Sequence, residues 1–215
     1  MLVVIAILGV FGTLILVIFT RTLRGGGKTQ IIEAIKQNGQ SVLEVMDKSV
    51  RNADQIFCPS VASPDNTLVV FKDGVFTRFR IVLEQDIIRN PLTLYPPGCQ
   101  LVNRKSNGCI IQDNPTERNP DTNTDEGPDN FKRRVCNPDD PMVQAAVLTD
   151  TNNQTGVSVD CVASDCVLNP FFFRETAAGY HDQLTIKFDL QPAVEVSQVV
   201  GQIDPVTFQT TVQLR

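Results

Sequence analysis

Histidine, tyrosine and tryptophan are scarce in this sequence. Its 215 residues include two tyrosines, no tryptophan and one histidine, His181. No G-x-S-x-G elbow, P-loop or H-E-x-x-H helix occurs. His181 lies in the stretch GYHDQ beside a predicted strand, where we expect an exposed turn residue rather than a catalytic base. The sequence therefore predicts a protein that is not an enzyme, and a membrane-tethered hydrolase is the least favoured class.

Acidic residues are missing from the first 28 positions, whose only charged side chains are Arg21, Arg24 and Lys28. The remaining residues carry 16 basic and 24 acidic side chains, a net charge of −8. Proteins that track nucleic-acid phosphates need basic surfaces, so this acidic body argues against a nucleic-acid partner. The length of 215 residues allows one core with an appended segment and excludes a large multidomain enzyme.

No C-x-x-C pair occurs among the six cysteines, so neither a zinc ribbon nor a thioredoxin-type site is predicted. Disulfides are the better interpretation, which places the body of the protein in oxidising surroundings outside the cytoplasm. The sequence does not choose among the possible pairings. The disulfide candidates are Cys58, Cys99, Cys109, Cys136, Cys161 and Cys166.

The stretch from Met1 to Thr20 contains no charged side chain and is almost entirely apolar. About 19 such residues at ~1.5 Å each reach ~29 Å, roughly the hydrocarbon thickness of a bilayer, which predicts a membrane-spanning helix. The alternative is a secretory signal peptide, which has a shorter apolar region, preceding basic residues and a small-residue cleavage site. The basic residues beyond the span would hold the body in the cytoplasm by the positive-inside rule, which conflicts with the disulfides.

A second helical pattern follows the glycines at 25–27 and defines an amphipathic helix over residues 29–58. Its apolar residues recur at spacings of three, four or seven and share one stripe. They are Ile32, Ile35, Val42, Leu43, Met46, Val50, Ala53 and Phe57. Each glycine lowers helix propensity by about 1 kcal/mol relative to alanine, so residues 1–28 are predicted to end in a bendable or partly melted join.

The string LVVIAILGV at Leu2–Val10, continuing into an amphipathic helix, resembles the N-terminus of type IV pilins and type II secretion pseudopilins. In that family the mature chain begins F-T-L-I-E, and Met1 falls on the position just after the glutamate. The resemblance implies that the natural precursor begins upstream with a basic leader ending in glycine. Such a leader would also hold the extreme N-terminus in the cytoplasm and remove the conflict over charge. Without the glutamate, whose partner in the family is the N-terminal amine of a neighbouring subunit, we expect the sequence as given to assemble poorly.

The resemblance also implies a membrane and filament core at the N-terminal end of the helix. The partners that it implies are other pilin-like subunits, an inner-membrane assembly platform and a prepilin peptidase that acts on the precursor. The core residues are Leu2, Val3, Val4, Ile5, Ala6, Ile7, Leu8, Gly9, Val10, Phe11 and Gly12.

Beyond residue 58 the sequence indicates an antiparallel β-rich head over residues 59–215. Asp73-Gly74 between two β-rich runs, 67–72 and 75–82, is typical of a type I′ hairpin. A second strand pair is predicted at 99–102 and 109–112, where Cys99 and Cys109 flank the turn and are expected to be bridged. Further strands are predicted at 145–148, 156–162, 183–190 and 207–214. With no βαβ rhythm, the fold class is α+β, a long helix packed on an antiparallel sheet as in pilins.

An acidic, proline-rich loop is predicted over residues 113–141. Within it Asp121, Asn123 and Asp125 alternate as calcium ligands do, although Glu126 intervenes before Gly127 and no bidentate glutamate follows at the expected distance. A solvated loop without a cofactor is favoured over a structural calcium. The run Phe171-Phe172-Phe173 is predicted to be core rather than a binding platform.

Two functions from different classes follow. The first is a structural subunit, a minor pilin or pseudopilin, held as a single-pass bacterial membrane protein with its head outside the cytoplasm. The second is a single-span anchored extracellular domain that binds a partner through its loops and does not polymerise. The sequence does not distinguish secretion, motility, adhesion and DNA uptake.

Overall fold

The computed structural model describes residues 2–61, 65–89, 95–96, 99, 107–117, 127–137, 140–142, 144–153, 155–160, 171–176, 182–193 and 203–213. These residues form an α+β fold with a long N-terminal helix and antiparallel sheets, as predicted for the fold class. The helices are α1 (Leu2–Arg51), α2 (Glu84–Arg89) and α3 (Pro128–Val135). The strands are β1 (Gln55–Cys58), β2 (Thr67–Lys72), β3 (Val75–Val82), β4 (Cys109–Asp113), β5 (Ala146–Val147), β6 (Val157–Asp160), β7 (Phe172–Glu175), β8 (Gln183–Pro192) and β9 (Val206–Gln213).

Helix α1 is continuous over 50 residues, including the three glycines at 25–27 where we predicted a bendable or partly melted join. Three glycines cost only about 1 kcal/mol each, and the residues on both sides favour a helix. The predicted amphipathic helix over 29–58 is corrected at its end, because α1 stops at Arg51 and residues 55–58 form β1. The amide of Asp54 donates to the carbonyl of Phe71 at 2.9 Å, so pairing with β2 replaces the helix there.

The first sheet is an antiparallel meander of five strands in the order β1-β2-β3-β4-β5. Strands β2 and β3 pair over their full length around a two-residue turn, with Lys72 opposite Val75. The turn residues Asp73 and Gly74 have φ angles of 49° and 81°, which a type I′ turn requires. The hairpin predicted from Asp73-Gly74 is therefore confirmed.

The second sheet is built around β8, the longest strand of the described chain. One edge of β8 is shared, since β7 pairs with its first half and β6 with its second half. The other edge pairs with β9 over eight residues. Several hydrogen bonds join this sheet to the first. Asp65 and Phe172 exchange two backbone hydrogen bonds of 3.1 Å, the amide of Val159 donates to the carbonyl of Gly108 at 2.9 Å, and Nη1 of Arg174 donates to the carbonyl of Ile56 at 3.2 Å.

The main core lies between the C-terminal half of α1 and the inner faces of both sheets, and α1 crosses β8 and β9. The predicted apolar stripe is confirmed within the helix, with four fully buried members, Ile35, Val42, Met46 and Val50. Phe57 does not belong to this stripe, because it lies on β1 and packs in a separate cluster with Phe76 and Phe131. Phe171 and Phe172 are core residues, as predicted for that run.

Gly39 in the middle of α1 is required by the ring of Phe208 on β9. A Cβ atom at position 39 would lie 2.2 Å from the Phe208 ring, far inside van der Waals contact. Phe208 in turn stacks on Phe188 with ring centroids 5.5 Å apart, so it has little freedom to move away. The missing side chain lets the helix approach the sheet closely at this point.

Substituting Gly39→Ala is therefore expected to destabilise the protein, although alanine favours a helix by about 1 kcal/mol. Overpacking a filled core costs about 1–3 kcal/mol, so the net loss after this gain is about 0–2 kcal/mol. Thermal unfolding of the full chain measures this loss. Gly27→Ala is the matched control, since nothing lies within 4 Å of its added methyl group. An equal response of the two variants would contradict the packing account.

Two disulfides are formed by the described cysteines. Cys99 and Cys109 are bridged across ten residues, which confirms the pairing expected from their flanking of a turn. Cys58 and Cys136 are bridged across 78 residues and tie β1 to the end of α3. Cys161, Cys166 and the predicted strand residues 100–102 lie outside the described residues.

The predicted acidic loop over 113–141 is corrected at its first residue and in its interior. Asp113 is the last residue of β4, and residues 128–135 form α3. Pro128 at the start of α3, Asp129 in its first turn and Lys132, Arg133 and Arg134 in its last turn all suit a helix. The run of acidic and proline residues before it concealed this pattern.

Candidate functional site

The N-terminal half of α1 carries a continuous apolar surface that the head does not cover. Seven large apolar side chains between residues 11 and 19 are 47–65% exposed, and they are distributed around the whole helix. They are Phe11, Leu14, Ile15, Leu16, Val17, Ile18 and Phe19. Soluble proteins rarely leave apolar patches of this kind in water, so this segment is a candidate surface for lipid or for another protein.

The polar groups at the end of this apolar segment bond within the helix. The hydroxyl of Thr20 donates to the carbonyl of Leu16 at 2.8 Å, and the hydroxyl of Thr22 donates to that of Ile18 at 2.9 Å. Such bonds satisfy a hydroxyl without water. Both threonines are thus compatible with apolar surroundings.

Nothing lies within 4 Å of the position where a Cβ would stand at Gly9 or Gly12, which belong to the predicted filament core at residues 2–12. The backbone of these core residues from Leu2 onward is helical, as part of α1. Over the residues that the structure describes, no helix combines the length and the apolarity needed to cross a membrane.

A second unusual feature is a buried ionic cluster on the face of the first sheet that α3 covers. Strand β3 places Phe76, Arg78, Arg80 and Val82 on this face, so two arginines interrupt an apolar row. Arg78 is fully buried and Arg80 is 3% exposed. This cluster was not predicted from the sequence, although two arginines at alternate positions of a strong strand are a signal for it.

Arg78 holds the cluster together through two carboxylates. Its Nε and Nη2 donate to the two oxygens of Asp113 at 2.8 and 2.5 Å, a bidentate pair across β3 and β4. Its Nη1 also donates to Asp140, which accepts a further bond from Arg134 of α3 at 3.0 Å. Burial acts to lower the pKa of Arg78, but these carboxylates outweigh burial and raise the pKa above its ordinary value. Arg78 therefore stays charged and fastens α3 and the segment after it to the sheet.

Arg80 is held less favourably than Arg78. It donates to the carbonyls of Asp140 and Asn137 at 3.0 Å each, while its Nε has no partner among the described residues. Burial and then the neighbouring charge of Arg78 lower the pKa of Arg80 from its ordinary value to about 10. When the folded pKa of a base lies below its unfolded pKa, the charged form of that base lowers the free energy of unfolding. Protonated Arg80 thus reduces stability at neutral pH, and this reduction fades as the pH rises above about 10.

A cleft of about 470 Å³ lies between β1 and α3, beside this cluster. Its lining includes Phe57, Asp65, Asp129, Lys132 and Arg133. The two acids and two bases of this lining balance in charge. Nothing here pairs a general acid with a general base, so the cleft carries no catalytic interpretation.

Asp65 forms the turn that enters β2. Its Oδ1 accepts the amides of Asn66 and Thr67 at 2.7 and 3.2 Å. Burial raises the pKa of Asp65 above 3.8, and the two amide bonds and the charge of Arg80 offset only part of this rise. An acid with a raised folded pKa stabilises the fold below its unfolded pKa and loses that contribution as the pH rises through the folded value.

We expect the Asp65→Asn variant to be more stable, relative to the unmodified chain, at pH 7 than at pH 3. The asparagine Oδ1 keeps both amide bonds, but the side chain no longer acquires a buried charge. Denaturant unfolding at the two pH values gives the difference in unfolding free energy between the variants. The unfolding free energy of the variant minus that of the unmodified chain should increase as the pH rises. A decrease would contradict a buried charge at Asp65.

The remaining predicted site residues are not brought together by the described structure. Asp121, Asn123, Asp125 and His181 all lie outside the described residues. Within the described ranges, no three His, Cys, Asp or Glu side chains are grouped to hold a metal ion. The calcium interpretation of the loop therefore stays a prediction.

Comparison with family models, with curated proteins and with solved structures found no match for this chain. The functional conclusion therefore depends on the chain's own residues and geometry.

Proposed function

We propose that this protein is a structural subunit of a filament of the type IV pilin or type II secretion pseudopilin kind. Its N-terminal helix anchors it in the bacterial membrane, and its head lies outside the cytoplasm. The single observation that carries the proposal is the apolar surface of α1 between residues 11 and 19, which the head leaves exposed. An apolar helix with such a surface is stable only in lipid or among other apolar helices.

The two halves of α1 suit the two tasks of such a subunit, which are to hold the head and to contact lipid or neighbouring helices. The C-terminal half is fixed to the head by its buried stripe and by the contact of Gly39 with Phe208. The N-terminal half continues the same helix without a break, so a pull on the helix would move the head as one unit. Extraction into a filament would exchange lipid for neighbouring helices, and the apolar surface would stay out of water throughout.

The head contains disulfides, which are expected of a domain that works in oxidising surroundings. Two disulfides and the buried ionic cluster around Arg78 fasten α3 and the loops to the first sheet. Disulfides persist outside the cytoplasm, which supports placing the head there. The partners we propose are copies of pilin-like subunits together with a membrane assembly platform.

Photocrosslinking in cells that express the gene from its own genomic locus, with whatever leader that locus encodes, tests this function. A benzophenone amino acid at Leu14, which is 53% exposed on α1, should crosslink to the helix of another pilin-like subunit. The same probe at Val75, which is 54% exposed on the head, is the matched control and should not form that product. If Leu14 crosslinks only to lipid, assembly is refuted and the anchored, non-polymerising domain becomes the better account.

A further inference from the structure

Strand β9 offers a long edge that carries no charge. It pairs with β8 over eight residues, and no described strand pairs with its other edge. Its sequence, VTFQTTVQ, contains neither a charged residue nor a proline. The other edge strands of the described sheets are shorter, since β1 has four residues and a register shift and β5 has two.

An edge of this kind is unusual because natural proteins protect their sheet edges. Charged side chains, prolines, bulges or short strands normally prevent pairing with another chain. Here none of these devices is present over eight residues of an acidic head. The absence of protection indicates that this edge is used for pairing.

Helix α1 places two apolar side chains, with the exposed Lys36 between them along the helix, on the flank towards the same edge. The side chain of Asn38 accepts the amide of Asp150, in the loop that leads to β6, at 3.0 Å. At about 100° per residue, Ile32 and Leu43 lie roughly 120–140° around the helix from Asn38. Because β6 and β9 lie on opposite sides of β8, these two half-buried residues lie on the flank towards the free edge of β9. An added strand would pack its inward side chains there.

The start of β9 is acidic on balance, because the one base on β8 and β9, Lys187 opposite Gln209, is outnumbered by two acids. Asp204 is exposed just before the strand, and Asp189 of β8 is the register partner of Thr207. A strand added antiparallel to β9 has its C-terminal end at this point. Basic residues at that end of the added strand would complement these carboxylates.

We propose that the free edge of β9 binds an extended segment of a partner protein as an added antiparallel strand. Main-chain hydrogen bonds to β9 provide the affinity, as in other cases of strand addition. Alternating apolar side chains of the segment contact Ile32 and Leu43, and a basic C-terminal end faces Asp204 and Asp189. This binding does not depend on whether α1 assembles into a filament.

A synthetic peptide provides the probe. It alternates valine and threonine over eight residues and ends in two lysines, and fluorescence anisotropy measures its binding to the full chain in detergent. Ending the peptide in two glutamates instead should weaken binding at least tenfold. Equal binding of both peptides would overturn the proposed polarity.

Variants of the protein locate the site. The pair Gln209→Lys and Thr211→Lys adds edge protection and should weaken binding at least tenfold. The pair Gln183→Lys and Thr185→Lys adds the same charge to the same face on β8, an interior strand, and should change binding less than threefold. Similar weakening by both pairs would overturn the assignment to the edge.

Hydrogen exchange on the unmodified chain locates the binding site without any substitution that could alter the fold. On peptide binding, every second amide of β9 should exchange more slowly, because alternate amides of an edge strand face outward. Amides of β1 should be unchanged. Peptide binding without slower exchange in β9 would overturn the proposal.

Discussion

Replacing Arg78→Met is expected to lower the free energy of unfolding by about 3–5 kcal/mol, the cost of removing one partner from a buried ion pair. Asp113 and Asp140 are both buried, and Arg78 bonds to each of them. Methionine would fill much of the space but would leave two carboxylates without this guanidinium. The bond of Arg78 to the carbonyl of Pro141 at 3.0 Å would be lost as well, which releases the segment after α3.

Arg80→Met is the matched control, two residues along the same strand and on the same face. It removes two bonds to carbonyl oxygens, each worth about 1 kcal/mol net. It also removes a buried charge whose pKa is lowered to about 10 by burial and by Arg78. The loss should therefore be much smaller than for Arg78. Urea unfolding of the two variants compares them, and equal losses would contradict the role we assign to Arg78.

Placing two arginines on the apolar half of α1 is expected to release the protein from the membrane. Residues 2–20 contain 14 leucine, isoleucine, valine and phenylalanine residues. After Phe11→Arg and Ile15→Arg, the remaining 12 favour insertion by roughly 4–7 kcal/mol in total, while the two arginines oppose it by about 5–7 kcal/mol. These two sums nearly cancel, so insertion should fall from nearly complete to about half or less, measured as the share of protein that resists alkaline extraction from membranes.

The control for this pair is Val61→Arg with Val75→Arg, two large apolar side chains exposed on the head. These substitutions add the same charge at similar exposure but outside α1, so membrane retention should not change. Near-ultraviolet circular dichroism should report a folded head in both double variants. Unchanged retention of the α1 variant would contradict the proposed anchor.

Local features of the fold could be predicted from the sequence. The β2–β3 hairpin followed from Asp73-Gly74, because two positive φ angles decide that turn within a few residues. The Cys99–Cys109 bridge spans only ten residues and was predicted from its turn. The buried stripe of α1 followed from its spacing, since helix geometry fixes which residues share a face.

Features decided by distant contacts could not be predicted. The bridge between Cys58 and Cys136 spans 78 residues, and no local pattern favours it. The apolar spacing continued past the end of α1 to Phe57, but pairing with β2 turns those residues into a strand. The ionic cluster around Arg78 depends on Asp140, which lay within a predicted loop. The exposed apolar segment of the candidate site, in contrast, was evident from composition alone.

Spin-label scanning of α1 in lipid bilayers tests the central claim most directly, that the apolar half of the helix is kept out of water. Nitroxide side chains are placed one at a time at residues 11–19, with Val75 on the head as the aqueous reference. We expect every position from 11 to 19 to be shielded from a water-soluble relaxation agent, on all sides of the helix, while position 75 remains open to it. Accessibility at 11–19 equal to that at Val75, or shielding of one helix face alone, would contradict the account.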